Sequence, residues 1–321
     1  MKAVILEKPS TAKELIVTQF PIPNVKPGWV LIKIKAFGIN RSEIYTRNGL
    51  SPSVHFPRIL GIECVGEIFD PSDSTLSKGQ RVISMMGGLG REFDGSYAEY
   101  ALIPTKQVYP IDTKLKWEEF AAIPEMYYTA WCSLIDTLQL NKNDSLLIRG
   151  GTSSIGIASL QIAKSIGAKV ITTTRSKEKR NLLLEYGADY VLIDDNTISK
   201  QMKVIEKNGV DKILELVGTV SLTSSFDMLK YGGILCMTGI LSGQWEVKKF
   251  APMDFIPSGT YFTIYDSKVV SLKSLQSMFN FIIEKQIKPR IAKVFSLDEI
   301  NLAHLLMESN TANGKIIITN Q

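Results

Sequence analysis

The stretch Leu146-Leu147-Ile148-Arg149-Gly150-Gly151-Thr152-Ser153-Ser154-Ile155-Gly156 concentrates the chemistry of this 321-residue chain. An apolar strand enters a glycine-rich turn, and the turn opens into 157–163, where apolar residues recur at helical spacing. Small residues between a strand and a helix let backbone N–H groups at the helix N-terminus meet a phosphate anion. The spacing Gly151-x-Ser153-x-x-Gly156 puts a serine at the central position of the dinucleotide fingerprint, where its hydroxyl can donate to a phosphate oxygen. Gly151, Thr152, Ser153, Ser154, Ile155 and Gly156 are therefore the expected pyrophosphate residues. The alternative is a strand–helix turn made glycine-rich for packing.

A second strand, Lys169–Thr174, follows about twenty residues later and runs into Arg175-Ser176-Lys177-Glu178-Lys179. A cofactor lacking the extra phosphate would want a carboxylate at this strand end. Thr174, Arg175, Ser176 and Lys179 instead offer hydroxyls and cations, and a guanidinium fork suits a doubly charged phosphate ester. The site reads as one for NADPH. The competing reading is a solvated helix start with Ser176 as its N-cap.

The elements that must position these residues fall into two textures. Short strand candidates (3–6, 15–18, 30–36, 66–69, 80–84 and 96–103) are separated by Pro, Gly, Asn and Asp, as in a small barrel or sandwich. Helices at 117–122 and 127–137 lead into alternation. The strands are 145–149, 169–174, 190–193, 212–216 and 234–238; the helices are 155–166, 176–186, 197–207 and 221–230. Nearly all-apolar strands alternating with helices imply a doubly wound parallel sheet of α/β class. Ligands bind beyond the carboxyl ends of such strands, which nominates Val217, Gly218, Thr238, Gly239 and Ile240. Gly167 and Gly187 suit helix C-caps. Helices at 269–285 and 298–309 precede a closing strand at 314–319. That strand lacks a local partner and is expected to return to the first domain. The expected division is 1–116 with 262–321, and 117–261.

Lys and Arg number 37 against 32 Asp and Glu, a net charge of +5 interleaved along the chain, which argues against a nucleic-acid partner. The N-terminal apolar run is too short for a signal peptide, and no stretch approaches the ~20 residues of a membrane span. The expected location is the cytoplasm. Cys64, Cys132 and Cys236 are widely separated, and His55 and His304 are the only histidines, so no metal site is expected.

The motifs Ala36-Phe37-Gly38-Ile39-Asn40-Arg41-Ser42-Glu43, Leu60–Gly66, Gly79-Gln80-Arg81-Val82, Gly95–Tyr100 and Gly314-Lys315-Ile316-Ile317 span the chain. Together with the glycine turn they resemble the medium-chain dehydrogenase/reductase superfamily, and more closely its zinc-free quinone oxidoreductase branch. Asn40 and Ile62 stand where zinc-dependent members place a cysteine and a histidine, and neither is a good tetrahedral zinc ligand. The resemblance implies a GroES-like β-barrel catalytic domain beside a Rossmann domain, with NADPH in the cleft and a homodimer.

It also implies roles for particular residues. Asn40 would lie near the nicotinamide ribose, Tyr45 would face the substrate, and Thr129 would contact the nicotinamide. Tyr45 as a proton donor would need tuning, since a phenol titrates near ~10; its plain alternative is core packing, and that of Thr129 is an internal helix hydroxyl. Tyr265 or Phe262 would close over the cofactor. Glu63 would make a buried hydrogen bond or pair with Arg81 or Arg41. Asp194 replaces a tyrosine common in close relatives. The implied reaction is hydride transfer to a quinone or similar electron-poor carbonyl. The alternatives are reduction of a conjugated C=C in a 2-alkenal or enoyl thioester, or a non-catalytic NADPH-sensing or nucleic-acid-binding role.

Overall fold

The computed structural model describes residues 1–266 and 269–320, which form two compact units. The first takes Met1–Glu125, residues 269–272 and the tail from Pro289; the second takes Met126–Asp266 and Lys273–Lys288.

In the first unit the strands are β1 (Lys2–Leu6), β2 (Val17–Gln19), β3 (Trp29–Ile39), β4 (Arg58–Ile59), β5 (Glu63–Asp70), β6 (Arg81–Met85), β7 (Tyr100–Pro104) and β8 (Tyr109–Pro110). Two short helices accompany them, α1 (Arg41–Arg47) and α2 (Trp117–Ala121). The long strand β3 organises the unit. One edge pairs with β5, and the other pairs first with β7 and then with the last strand of the chain. Strands β2, β1 and β4 form a small separate sheet.

The second unit carries the parallel sheet: β9 (Ser145–Arg149), β10 (Lys169–Thr174), β11 (Tyr190–Ile193), β12 (Val210–Glu215), β13 (Leu229–Met237) and β14 (Tyr261–Ile264). Its spatial order β11-β10-β9-β12-β13-β14 reverses direction between β9 and β12. Such a switch point is where doubly wound sheets bind ligands. Its helices are α3 (Pro124–Trp131), α4 (Ser154–Ile166), α5 (Arg180–Glu185), α6 (Ile198–Ile205), α7 (Leu222–Phe226), α8 (Pro252–Phe255) and α9 (Leu272–Glu284). Helix α3 opens with Pro124 at the boundary between the units and runs on as π-helical turns through Cys132–Thr137. The fully buried β9 fits a strand covered on both faces. Helix α4 ends at Gly167, whose φ of 95° supplies the left-handed cap.

The tail adds β15 (Ile291–Ser296), α10 (Ile300–Ser309) and β16 (Lys315–Thr319). Strand β16 pairs with β3, as expected of a returning segment, but it also has a local parallel partner in β15. Sequence reasoning missed that strand because 291–296 lacks a clean alternation: Val294 is exposed and only Phe295 is deeply buried.

The expected domain boundaries need correction in three places. Helix α2 stays with the first unit, where the Arg81 guanidinium lies 3.9 Å from the Trp117 ring centroid. Strand β14 is the sixth strand of the parallel sheet, not the start of the returning tail. Helix α9 belongs to the second unit, where Phe281 packs on Trp131 at 5.2 Å and Ser274 bonds Asp136 at 3.1 Å. The helix expected at 221–230 stops at Phe226, because the chain turns at Met228 and Leu229 already pairs with Val210. Among the described residues no helix is long and apolar enough to cross a membrane.

Ile318 is fully buried in the first unit's core and pairs in register with Phe37. Ile318→Ala is expected to cost about 2–5 kcal/mol, read as a lowered midpoint in urea unfolding.

Candidate functional site

The glycine turn sits at the carboxyl end of β9, on the edge where β10, β11, β12 and β13 also end. Its close packing demands glycine: a Cβ at Gly151 would lie 1.9 Å from Thr172 Oγ1, and one at Gly156 would lie 2.5 Å from the Gly150 carbonyl. The Ser153 hydroxyl donates to the Gly150 carbonyl at 2.8 Å and accepts from the Gly156 amide at 3.0 Å. That corrects the expectation of a phosphate-donating hydroxyl, because its proton closes the turn. Among the described residues, the Ser154 and Ile155 amides have no acceptor within the protein. First-turn amides of this kind are what an anion can satisfy. The cradle thus fits a pyrophosphate.

Beyond β10, Arg175 is exposed and Lys179 half-buried. Thr174 Oγ1 accepts from the Ser176 amide at 3.1 Å, which fixes the bend. The Ser176 hydroxyl donates to the Glu178 carboxylate rather than capping a helix. At the other strand ends, Val217 and Gly218 donate their amides to Glu215 Oε1 at 2.7 and 3.1 Å. Thr238 and Gly239 follow β13, and Gly239 lies so close to Leu216 that a Cβ would meet its carbonyl at 2.5 Å. The Ile240 carbonyl accepts the Gly243 amide at 3.0 Å. Thr129 is buried in α3, where its carbonyl accepts the Ser133 hydroxyl.

One expectation on this unit changes. Phe262 lies in β14 against Phe226, with ring centroids 5.6 Å apart, so it is committed to the core and does not close over a ligand. Asp194 is held by Arg149, which reaches it with Nη2 and, at 3.3 Å, with Nε. Tyr265 directly follows the β14 end, its amide donating to the Met237 carbonyl at 3.3 Å.

In the first unit Asn40 caps α1 and is almost fully buried. Its side chain donates to Glu63 Oε1 at 2.9 Å and accepts from Lys315 Nζ at 2.5 Å. Lys315 Nζ is also 2.6 Å from Glu63 Oε1 and 3.8 Å from Glu125 Oε2. The partner of Glu63 is therefore Lys315, not Arg81 or Arg41. Arg81 instead bonds the Leu115 carbonyl, and Arg41 the Met307 carbonyl. Gly38 makes the room, since a Cβ there would lie 2.1 Å from Lys315 Cε. Burial opposes the Lys315 charge, yet Glu63 and Glu125 outweigh it and raise its pKa.

Behind Asn40, the fully buried Glu43 accepts the backbone amides of Asn40 at 2.5 Å and Ile62 at 3.0 Å. Burial nevertheless pushes Glu43 up to about 8. Tyr97 Oη lies 2.8 Å from His304 Nε2, and His304 Nδ1 lies 3.0 Å from Arg47 Nη1. Arginine can only donate. His304 is therefore neutral with its proton on Nε2, and burial with the Arg47 charge lowers its pKa to about 3. Tyr45 is half-buried in α1, and its carbonyl accepts the Leu50 amide at 2.9 Å. Sequence reasoning missed Arg149, Glu215 and Lys315 as site-forming groups. Their signal was present: each is a charge at the end of a strand and directly beside a run of apolar residues.

Comparison with known proteins agrees with both halves. Residues 26–113 match the family model described as alcohol dehydrogenase GroES-like domain, and 154–284 the one described as zinc-binding dehydrogenase. The chain is 30% identical to a quinone oxidoreductase of Sus scrofa over 92% of its length and 91% of the relative's. It is 23% identical to the acryloyl-coenzyme A reductase of Metallosphaera sedula, over 99% of this chain and 100% of that one. A mycobacterial protein solved in complex with NADPH shares the fold with a TM-score of 0.88, at 22% identity and full coverage of both chains.

Lys315→Met, which leaves Glu63 buried without its cation, is expected to cost about 3–5 kcal/mol in urea unfolding. Adding Glu63→Gln should recover more than about 1 kcal/mol of that loss, the mark of a coupled pair. For His304 the folded pKa lies below the unfolded one. Its contribution is full above about 6.5 and is lost as pH falls toward about 3. His304→Gln should flatten the decline in melting temperature between about pH 6.5 and 5, above the range where most carboxylates titrate.

Proposed function

The chain belongs to the medium-chain dehydrogenase/reductase superfamily, in its quinone oxidoreductase-like branch, and from that premise we propose a specific activity for this oxidoreductase. It is an NADPH-dependent, zinc-independent reductase that passes hydride to a quinone or a similar electron-poor carbonyl compound.

The observation that carries the cofactor assignment is the strand end after β10. Arg175 and Lys179 stand there, and no carboxylate occupies the strand end itself. The Ser154 and Ile155 amides would receive the pyrophosphate, within the turn formed by Gly151, Thr152, Ser153 and Gly156. Arg175 and Lys179 would hold the 2′-phosphate, with Thr174 setting the bend that presents them and the Ser176 hydroxyl turning from Glu178 to join them. Thr129, Val217, Gly218, Thr238, Gly239 and Ile240 are the proposed nicotinamide residues. Asn40 and Tyr45 are proposed for the reacting end. When bound, the nicotinamide supplies the hydride, and the protein's part is orientation and exclusion of water.

Zinc independence rests on donor chemistry. Asn40 and Ile62 offer no thiolate or imidazole, and the Lys315 ammonium already neutralises Glu63.

One observation favours a second acceptor class: the similarity to an acryloyl-coenzyme A reductase makes a conjugated C=C thioester the rival substrate. Such a reduction needs a proton at the adjacent carbon, which Tyr45 or water would supply, whereas a quinone needs less help. Rates on a menadione-like quinone and on a crotonyl thioester separate the two, and failure on both overturns both.

Arg175→Ala with Lys179→Ala is expected to raise the NADPH dissociation constant about 10–100-fold and leave NADH nearly unchanged. Equal weakening of both nucleotides, read by fluorescence titration, overturns the cofactor assignment.

A further inference from the structure

Arg149 is a buried cation at the carboxyl end of β9, directly beside Glu215 in the register of β12. Its guanidinium serves three sets of acceptors. Nη2 and Nε reach the two oxygens of Asp194, at the end of β11. Nη1 donates to the Ser221 carbonyl at 3.0 Å and to the hydroxyls of Ser224 and Ser225 at 2.7 and 3.1 Å. Nε lies 3.9 Å from Glu215 Oε2, whose carboxyl is fully buried.

Each carboxylate in turn holds a different loop. Asp194 Oδ2 accepts the Thr173 hydroxyl at 3.2 Å, and Thr173 Oγ1 accepts the Gly150 amide at 3.1 Å. The Thr173 carbonyl also accepts the Gly151 amide at 3.1 Å. Arg149, Asp194 and Thr173 therefore tie down the entry to the glycine turn. On the other side Glu215 Oε1 accepts the amides of Val217 and Gly218, and Oε2 accepts the Ser225 hydroxyl at 2.5 Å. Gly218 has a φ of 103°, a conformation that the fixed acceptor helps define. Two loops on opposite sides of the switch point thus share one guanidinium.

We propose that Arg149 is a positioning residue that sets both halves of the dinucleotide site together, the glycine turn through Asp194 and Thr173 and the Val217–Gly218 loop through Glu215. This rests on the nicotinamide-cofactor reading above. The planar fork matters because a lysine ammonium would supply a point charge and could not satisfy two carboxylates and three serine acceptors at once. The assignment gives the two arms separable effects.

Removing the whole cation risks misfolding, so the test uses Thr173→Val, Glu215→Gln and Arg149→Lys, each first shown to melt cooperatively. The probes are NADPH and 2′-phospho-ADP-ribose, which lacks nicotinamide. Thr173→Val should weaken both about fivefold, the scale of one hydrogen bond. Glu215→Gln should weaken NADPH by about the same factor and leave 2′-phospho-ADP-ribose unchanged. Arg149→Lys should weaken NADPH more than either and the fragment as much as Thr173→Val does. In nucleotide-free protein, amide exchange should quicken at Gly150 in Thr173→Val, at Val217 and Gly218 in Glu215→Gln, and at all three in Arg149→Lys. A merely structural arginine would move both probes alike in every variant, and that result overturns the proposal. So does unchanged exchange at either loop in Arg149→Lys, a measurement that decides the matter even when binding is too weak to measure. Wild-type protein that binds neither NADPH nor NADH overturns the cofactor reading itself.

Discussion

A charge taken out of water must be met by an opposite charge and by enough hydrogen bonds to replace its hydration. That constraint shapes both units. In the first, Lys315 enters the core on an apolar strand and is met by Glu63, Asn40 and Glu125. In the second, Arg149 does the same at the end of β9 and is met by Asp194, Glu215 and three serines. Buried ion pairs in general add little net stability, because desolvation offsets much of the attraction. Each cation here instead fixes the relative placement of several strands and loops, since an unmatched partner would be costly.

Much of the parallel sheet was legible in the chain. Strands β9, β10 and β11 fall where apolar runs bounded by glycine and polar residues place them, because a strand covered on both faces leaves a continuous apolar signature. Helix α4 was equally plain, with a serine before it and Gly167 after it. The edges were harder to read. Strand β14 is mostly exposed or half-buried and β15 alternates poorly, so neither carried the pattern of a core element. The boundary at 116 failed because nothing local to 117–125 reveals that α2 rests on strands distant in sequence.

The site was legible in residue type and not in partnership. The glycine turn, the cations after β10 and the strand-end loops could all be nominated, because spacing fixes them relative to strands. The partner of Glu63 could not, because Lys315 lies far along the chain and is brought close only when β16 pairs with β3. The inward turn of the Ser153 hydroxyl is a matter of rotamer, which spacing does not encode. Phe262 was misassigned for a similar reason: an aromatic near a cleft-forming segment and an aromatic in a sheet core look alike until its neighbours are known.

The pairing of β3 with β16 also bears on the order in which the protein can acquire its shape during synthesis. The segments that build the second unit have all been synthesised by residue 288, whereas the first unit still lacks two strands. Until those strands are made, Glu63 lacks its Lys315 partner and β3 lacks its pairing with β16. The middle of the chain therefore has its own pairing partners in hand before the beginning does.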